Sequence, residues 1–210
     1  MAKKKKNKGK QQQLMSDTEF VRQKARSLEI GKCYKSVSLF EIGEGYVVVI
    51  RNHKGDKYSV GFYMIDTFCT GVKDTFCRVR ITQDELDEYF DKMSEGDDMI
   101  ECSYNEAHNI IYGAIAFAEE AGIMPNKAFN LTQYLLEEDT DEIPLIEYEY
   151  GKDGQHVLFA KSMLEASKYL PAMKAHLGKN FRLVVGEYDD DYGLFDDHEE
   201  IDEEETDEET

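Results

Sequence analysis

Four residues of types that do chemistry in enzymes fall within one short stretch of the chain: Asp66, Cys69, Lys73 and Asp74. A thiol beside an ammonium group can ionise near neutral pH and attack an electrophile, provided that a base accepts its proton. His108 is a candidate for that base. A hydrolase hypothesis therefore makes Asp66, Asp74 and His108 the catalytic residues, in a pocket between the predicted strands and a central helix.

The same stretch also fits a structural turn, and we favour that interpretation. In such a turn Asp74 would bond backbone amides, Gly71 would take a conformation that suits glycine, and Cys69 and Cys77 would pack inward. His108 flanks the apolar stripe of a strongly periodic segment, where a histidine is more often packed and hydrogen-bonded than catalytic. We therefore lean towards a protein without enzymatic activity.

The sequence predicts no metal ion and no cofactor. Cys69 and Cys77 are eight residues apart, and no cysteine or histidine pair has the short spacing that lets neighbouring ligands converge on zinc. The acidic run at residues 137–142 lacks the pattern of a calcium loop, and no glycine-rich phosphate loop follows a predicted strand.

The two ends of the chain carry opposite charges. Fifteen of the residues from Glu187 to Thr210 are Asp or Glu, with no lysine or arginine among them. The whole chain has a net charge of −19, and without this tail and the lysines of the head the body, residues 11–186, still keeps −10. Such a body repels a phosphate backbone. Six of the first ten residues are lysine: Lys3, Lys4, Lys5, Lys6, Lys8 and Lys10.

These charged ends indicate partners and a division of the chain. The six lysines could contact RNA or a ribosome through salt-sensitive phosphate contacts. The acidic tail could bind a basic protein, or could serve solubility alone. We predict a disordered lysine-rich head at residues 1–15, a single domain at 16–186 and a disordered acidic tail at 187–210.

A cytoplasmic location is predicted from the polar residues next to the lysine-rich head. The lysines run into Gln11, Gln12 and Gln13, where an export signal needs an apolar stretch. No run of eighteen apolar residues is present to span a membrane. In a reducing cytoplasm the four cysteines would be free thiols.

Helix starts are marked by Ser or Thr with Glu three residues later, the pattern of a capping box. Residues 128–137 fit a shorter helix, and Pro171 predicts a kink or an early stop. The four capping patterns, at Ser16, Thr82, Ser103 and Ser162, predict helices at about 17–28, 83–93, 103–122 and 163–177.

Strands are predicted where β-branched and aromatic residues dominate. A second hairpin is predicted from the alternating residues 145–150, a glycine-containing turn and residues 156–160. Residues 181–185 form a last strand. The order of elements favours an α+β fold, with the strands as an antiparallel meander packed against several helices. The strands of the meander are predicted at residues 33–40, 46–51, 58–68 and 75–81.

Two stretches of the chain resemble a known group of proteins. The first, Tyr63–Phe76, is YMIDTFCTGVKDTF; the second runs from Ser103 through EAHNIIYGAIAFAEEAG to the segment DEIPLIEY, which ends at Tyr148. They are similar to a group of uncharacterised bacterial proteins in which this region accompanies a SEC-C metal-binding motif. The resemblance covers residues 30–160 and implies a bacterial, cytoplasmic domain. It implies no zinc here, because this chain lacks the SEC-C cysteine cluster.

The predicted function depends on where the features lie. Interaction features are concentrated at the ends, whereas the candidate catalytic residues are scattered. We therefore predict a cytoplasmic, non-enzymatic interaction or regulatory module. A hydrolase and an RNA- or ribosome-associated protein are the alternatives.

Overall fold

The computed structural model of the protein describes residues 15–186. The predicted acidic tail and all but the last residue of the predicted head lie outside these residues. Within them the chain has an α+β fold, as the sequence predicts. The strands are β1 (Glu29–Ser36), β2 (Glu44–Asn52), β3 (Tyr58–Asp66), β4 (Gly71–Ile81), β5 (Met99–Cys102), β6 (His156–Ala160) and β7 (Phe181–Val185). The helices are α1 (Asp17–Lys24), α2 (Leu39–Ile42), α3 (Gln83–Ser94), α4 (Tyr104–Glu120), α5 (Phe129–Thr132) and α6 (Met163–Leu177).

All four predicted capping residues begin helices. The hydroxyls of Ser16, Thr82 and Ser103 each accept from the amide of the glutamate three residues later, whose carboxylate accepts from the capping amide in return. Ser162 accepts from the amide of Glu165, but without the reciprocal bond. These contacts satisfy amides that have no partner inside the helix, so the helices begin where the sequence predicts.

The predicted meander is confirmed as an antiparallel sheet in the order β4-β3-β2-β1-β5. The amide of His53 donates to the carbonyl of Lys57 in the turn that joins β2 to β3. On one face of the sheet, α4 buries an apolar stripe that includes Ile110 and Ala114. On the other face, α3 buries Leu86 and Met93. Helices thus cover both faces of the sheet.

The second hairpin is not formed as predicted. β6 pairs in parallel with β7, and α6 connects the two strands. Within residues 15–186, the stretch 145–150 has no strand partner, and an isolated bridge joins Lys152 to Gln155. Residues 145–150 alternate in polarity without forming a strand, because Asn109 and Tyr150 anchor this stretch on helix α4.

Three further elements differ from the predictions. β1 begins at Glu29, earlier than predicted, so the chain has already turned into the unpredicted helix α2 where the strand was expected to end. β5 was also not predicted, and its four residues are too few to show an alternation. Helix α6, in contrast, has the predicted bounds and continues through Pro171 to Leu177 without an early stop. Pro171 is exposed, so water can satisfy the carbonyl that loses its partner.

None of the helices in residues 15–186 combines the length and the apolar character needed to cross a membrane.

Candidate functional site

Asp66 organises the turn between β3 and β4. Its Oδ1 accepts from the amides of Phe68 and Cys69 at 2.8 and 2.9 Å. Its Oδ2 accepts from the amide and the hydroxyl of Thr70 at 3.0 and 2.7 Å. Gly71 then takes a left-handed conformation, with φ +70°, which suits glycine as predicted. The acceptor for the amides of the turn is therefore Asp66 and not Asp74, and both Asp66 oxygens are occupied within the turn.

Cys69 lacks the surroundings of a nucleophile. The residue is fully buried, and its Sγ contacts the sulfur of Met173 at 3.9 Å. The ammonium of Lys73 pairs with Glu44 at 2.6 Å. Burial, together with the charge of Asp66, raises the pKa of the Cys69 thiol. The thiol therefore stays protonated at neutral pH.

The remaining cysteines are equally unreactive by this criterion. Burial raises the pKa of Cys33 to about 12 and those of Cys77 and Cys102 to about 11. We expect native protein to react with iodoacetamide roughly a hundredfold more slowly than unfolded protein, because thiolate is the reacting species. Labelling followed by mass spectrometry, with and without denaturant, measures this. Fast labelling of Cys69 in native protein would contradict the structural role.

The other two predicted catalytic residues lie apart from Asp66. Asp74 accepts from the amide of the next residue and lies opposite Met64, on the face of the sheet that α3 covers. His108, on α4 at the other face, is buried and donates from Nε2 to the carbonyl of Glu137 at 3.4 Å. Burial lowers its pKa. No hydrogen bond between described residues joins any two of the three, so the geometry gives the hydrolase hypothesis no support.

Two other kinds of site, a metal centre and a nucleic-acid contact, can be assessed only in part. Among residues 15–186, no three His, Cys, Asp or Glu side chains are grouped as a metal site requires. The lysines predicted to contact nucleic acid, at positions 3–10, lie outside the described residues.

An open groove of about 410 Å³ lies between α2 and the chain that precedes β6. Within the described part of the chain, three aromatic rings and five charged side chains line it. We call it the aromatic groove. Its lining residues are Phe40, Glu41, Phe68, Glu147, Tyr148, Glu149, Gly151, Lys152 and Asp153.

The floor of the aromatic groove is fixed by two tight turns. Phe68 belongs to the turn that Asp66 organises. Gly43 ends α2 with φ +93°, and a Cβ at this position would collide with the Phe68 ring. The amide of Thr67 donates to the carbonyl of Gly43 at 2.7 Å. Glycine is therefore required at position 43 by both conformation and space.

The wall of the aromatic groove is the stretch 144–153, which Asn109 and Tyr150 anchor on α4. The side chain of Asn109 donates to the carbonyl of Pro144 at 3.1 Å and accepts from the amide of Ile146 at 2.9 Å. The hydroxyl of Tyr150 donates to the carbonyl of Asn109 at 3.0 Å. Gly113 leaves room for the Tyr150 ring. Tyr148 is thereby held against Phe40, with stacked rings 4.9 Å apart.

The charge of the aromatic groove is mainly negative. Glu41, Glu147 and Glu149 are exposed and form no ion pair with another described residue. Asp153 pairs with Arg182 at 3.2 Å. The groove therefore presents three exposed carboxylates beside aromatic rings.

Lys152 is the one cationic side chain that residues 15–186 contribute to the lining. Its Nζ lies 5.6 Å from the centre of the Phe68 ring. This distance is typical of a cation–π contact. An ammonium group already occupies one part of the aromatic surface.

The rings of this groove were not predicted from the sequence as a site. Phe40, Phe68 and Tyr148 come from three distant parts of the chain. The available signal is the alternation of glutamate with tyrosine at residues 147–150, which also fits a strand. Only the anchoring by Asn109 distinguishes the two, and it depends on contacts far apart in sequence.

Comparison of the chain with protein-family models, with curated proteins and with solved structures gave no match in any of the three.

Proposed function

We propose that the protein is a non-enzymatic interaction module, and that its aromatic groove binds a lysine or arginine side chain from a basic segment of another protein. The observation that carries this proposal is the combination of the stacked rings of Phe40 and Tyr148 with the exposed carboxylates of Glu41, Glu147 and Glu149. Aromatic faces and carboxylates both attract a cation, by different physics.

The strength of each contribution is modest, which fits a reversible interaction. A cation over an exposed or partly desolvated ring gains about 0.5–2 kcal/mol. Exposed carboxylates add about 1 kcal/mol or less each and are screened by salt. The position of Lys152 over Phe68 supports the choice of a cation as the bound group.

The charge of the whole chain supports the same partner. A net charge of −19 attracts basic proteins and accelerates their association at low salt. We place this activity in the bacterial cytoplasm, which the resemblance of residues 30–160 implies. Phe68 lies in the first of the two stretches that resemble the bacterial group, and Tyr148 lies in the second. Binding of RNA through the lysines at positions 3–10 stays a separate prediction.

Truncation of Tyr148 tests the groove directly. We expect Tyr148→Ala to weaken binding of a fluorescent oligoarginine peptide about 3- to 30-fold, because the stacked ring is lost. Tyr148→Phe keeps the ring and should bind as the wild type does. Fluorescence anisotropy with the full chain, at low and at physiological salt, measures both.

Removal of charge at two places separates the groove from the general acidity of the chain. Glu147→Gln with Glu149→Gln should weaken binding clearly more than Glu119→Gln with Glu120→Gln, on the exposed end of α4. Both pairs remove the same charge. Equal losses, or an unchanged affinity in Tyr148→Ala, would assign the binding to the general acidity of the chain and reject the groove.

A further inference from the structure

The strand β7 is apolar except for Arg182 and lies at the edge of its sheet. Among residues 15–186 it pairs only with β6. Leu183, Val184 and Val185 are 36%, 37% and 41% exposed. Natural proteins usually shorten, charge or cover such an edge, because its free backbone groups can pair with another strand. Here apolar side chains of high strand propensity stand on the open edge instead.

The direction of the free backbone groups can be read from one hydrogen bond. The amide of Gly186 donates to the carbonyl of Ala160 in β6 at 3.2 Å. Amides alternate in direction along a strand, so those of Leu183 and Val185 point away from β6. Together with their carbonyls they form a row that an added strand can pair with.

We propose that β7 binds an extended segment of a partner protein by strand addition, and that this segment carries lysine or arginine immediately before its apolar strand. An antiparallel pair is slightly more stable than a parallel one. In that orientation the N-terminal flank of the added strand lies at the end of β7, next to Gly186. Fifteen carboxylates come after it within residues 187–210. The charge of that part of the sequence therefore favours basic residues on this flank.

A second copy of the chain fits this edge less well than a basic partner does. Each copy has a net charge of −19, so two copies repel each other. The proposal is also independent of the aromatic groove, because no lining residue of the groove lies on β7. The two surfaces can be tested separately.

Two labelled peptides of one composition test the proposal with the full chain: KKKKTVTVT, with the basic flank first, and TVTVTKKKK, with the order reversed. We expect the first to bind at least about threefold more tightly at low salt, and this preference to shrink as salt rises. Binding should also be at least about tenfold weaker for KKKKTVTVT methylated on the amides of alternate strand residues, which cannot form the edge hydrogen bonds.

Variants of the strand provide the matched control. Leu183→Pro removes only an outward amide, so the pairing with β6 is kept, and binding should fall at least about tenfold. Leu183→Thr keeps the amide and the strand propensity, and should stay within about threefold of the wild type. Circular dichroism checks that the fold is intact. Val185→Pro, which also removes an outward amide, replaces Leu183→Pro if that variant unfolds.

Four results would overturn the proposal. Equal binding of the methylated and the unmethylated peptide excludes strand addition. Equal affinity for the two peptide orders excludes the assigned orientation and its electrostatic cause. A dimer by light scattering that Leu183→Pro converts to a monomer assigns the edge to a second copy. Loss of binding in Tyr148→Ala with these peptides would instead place them in the aromatic groove.

Discussion

Arg51→Ala is expected to lower the free energy of unfolding by about 3–5 kcal/mol, because two carbonyls inside the protein lose their donor and the core gains a cavity. Arg51 is 1% exposed although it carries a full charge. Its Nε donates to the carbonyl of Leu135 at 2.8 Å, and Nη1 donates to the carbonyl of Leu28 at 3.1 Å and to Glu137 at 2.8 Å. Truncation leaves two carbonyls without their donor and a cavity in the core.

Arg26→Ala is the matched control for this variant. Arg26 donates to the carbonyl of Leu136 at 2.7 Å and pairs with Glu138 at 2.6 Å, so it repeats the contacts of Arg51 one residue later. Its side chain is 27% exposed, and that of Glu138 is 74% exposed. We expect Arg26→Ala to lose about 1 kcal/mol. Urea denaturation followed by circular dichroism measures both, and equal losses would contradict the assigned role of burial.

Local patterns in the sequence predict the elements that depend on neighbours. The capping residues at Ser16, Thr82 and Ser103 determine helix starts through contacts within one turn, and the structure has helices there. Strands β2 and β3 are predicted by their composition and the turn between them. The α+β class is predicted by the order of these elements.

Contacts between distant residues decide what the sequence does not predict. Residues 145–150 alternate as a strand does, but Asn109 and Tyr150 anchor them on α4. The parallel pairing of β6 with β7 depends on the path of α6, which periodicity does not show. The choice of Asp66 over Asp74 as the acceptor of turn amides depends on where β3 ends, within a few residues.

The Asp66 turn connects the parts of the molecule that the two proposals use. The carbonyl of Thr67 accepts from the amide of Gly151 at 2.9 Å, in the wall of the aromatic groove. The carbonyl of Phe68 accepts from the amide of Val157 in β6 at 3.0 Å. A change in this turn therefore reaches the groove and, through β6, the strand β7.

Asp66→Ala is expected to lower the free energy of unfolding by about 2–4 kcal/mol and to weaken peptide binding in the groove, because three buried amides lose a charged acceptor and Phe68 is released. Asp74→Ala is the control. Burial raises the pKa of Asp74, and the hydrogen bond from the amide of Thr75 lowers it by less. The charge of Asp74 therefore stabilises the fold little, and we expect Asp74→Ala to lower the free energy of unfolding by no more than about 1 kcal/mol. Thermal and urea denaturation, with peptide anisotropy, measure the pair. Full stability in Asp66→Ala would contradict the structural role and revive Asp66 as a catalytic candidate.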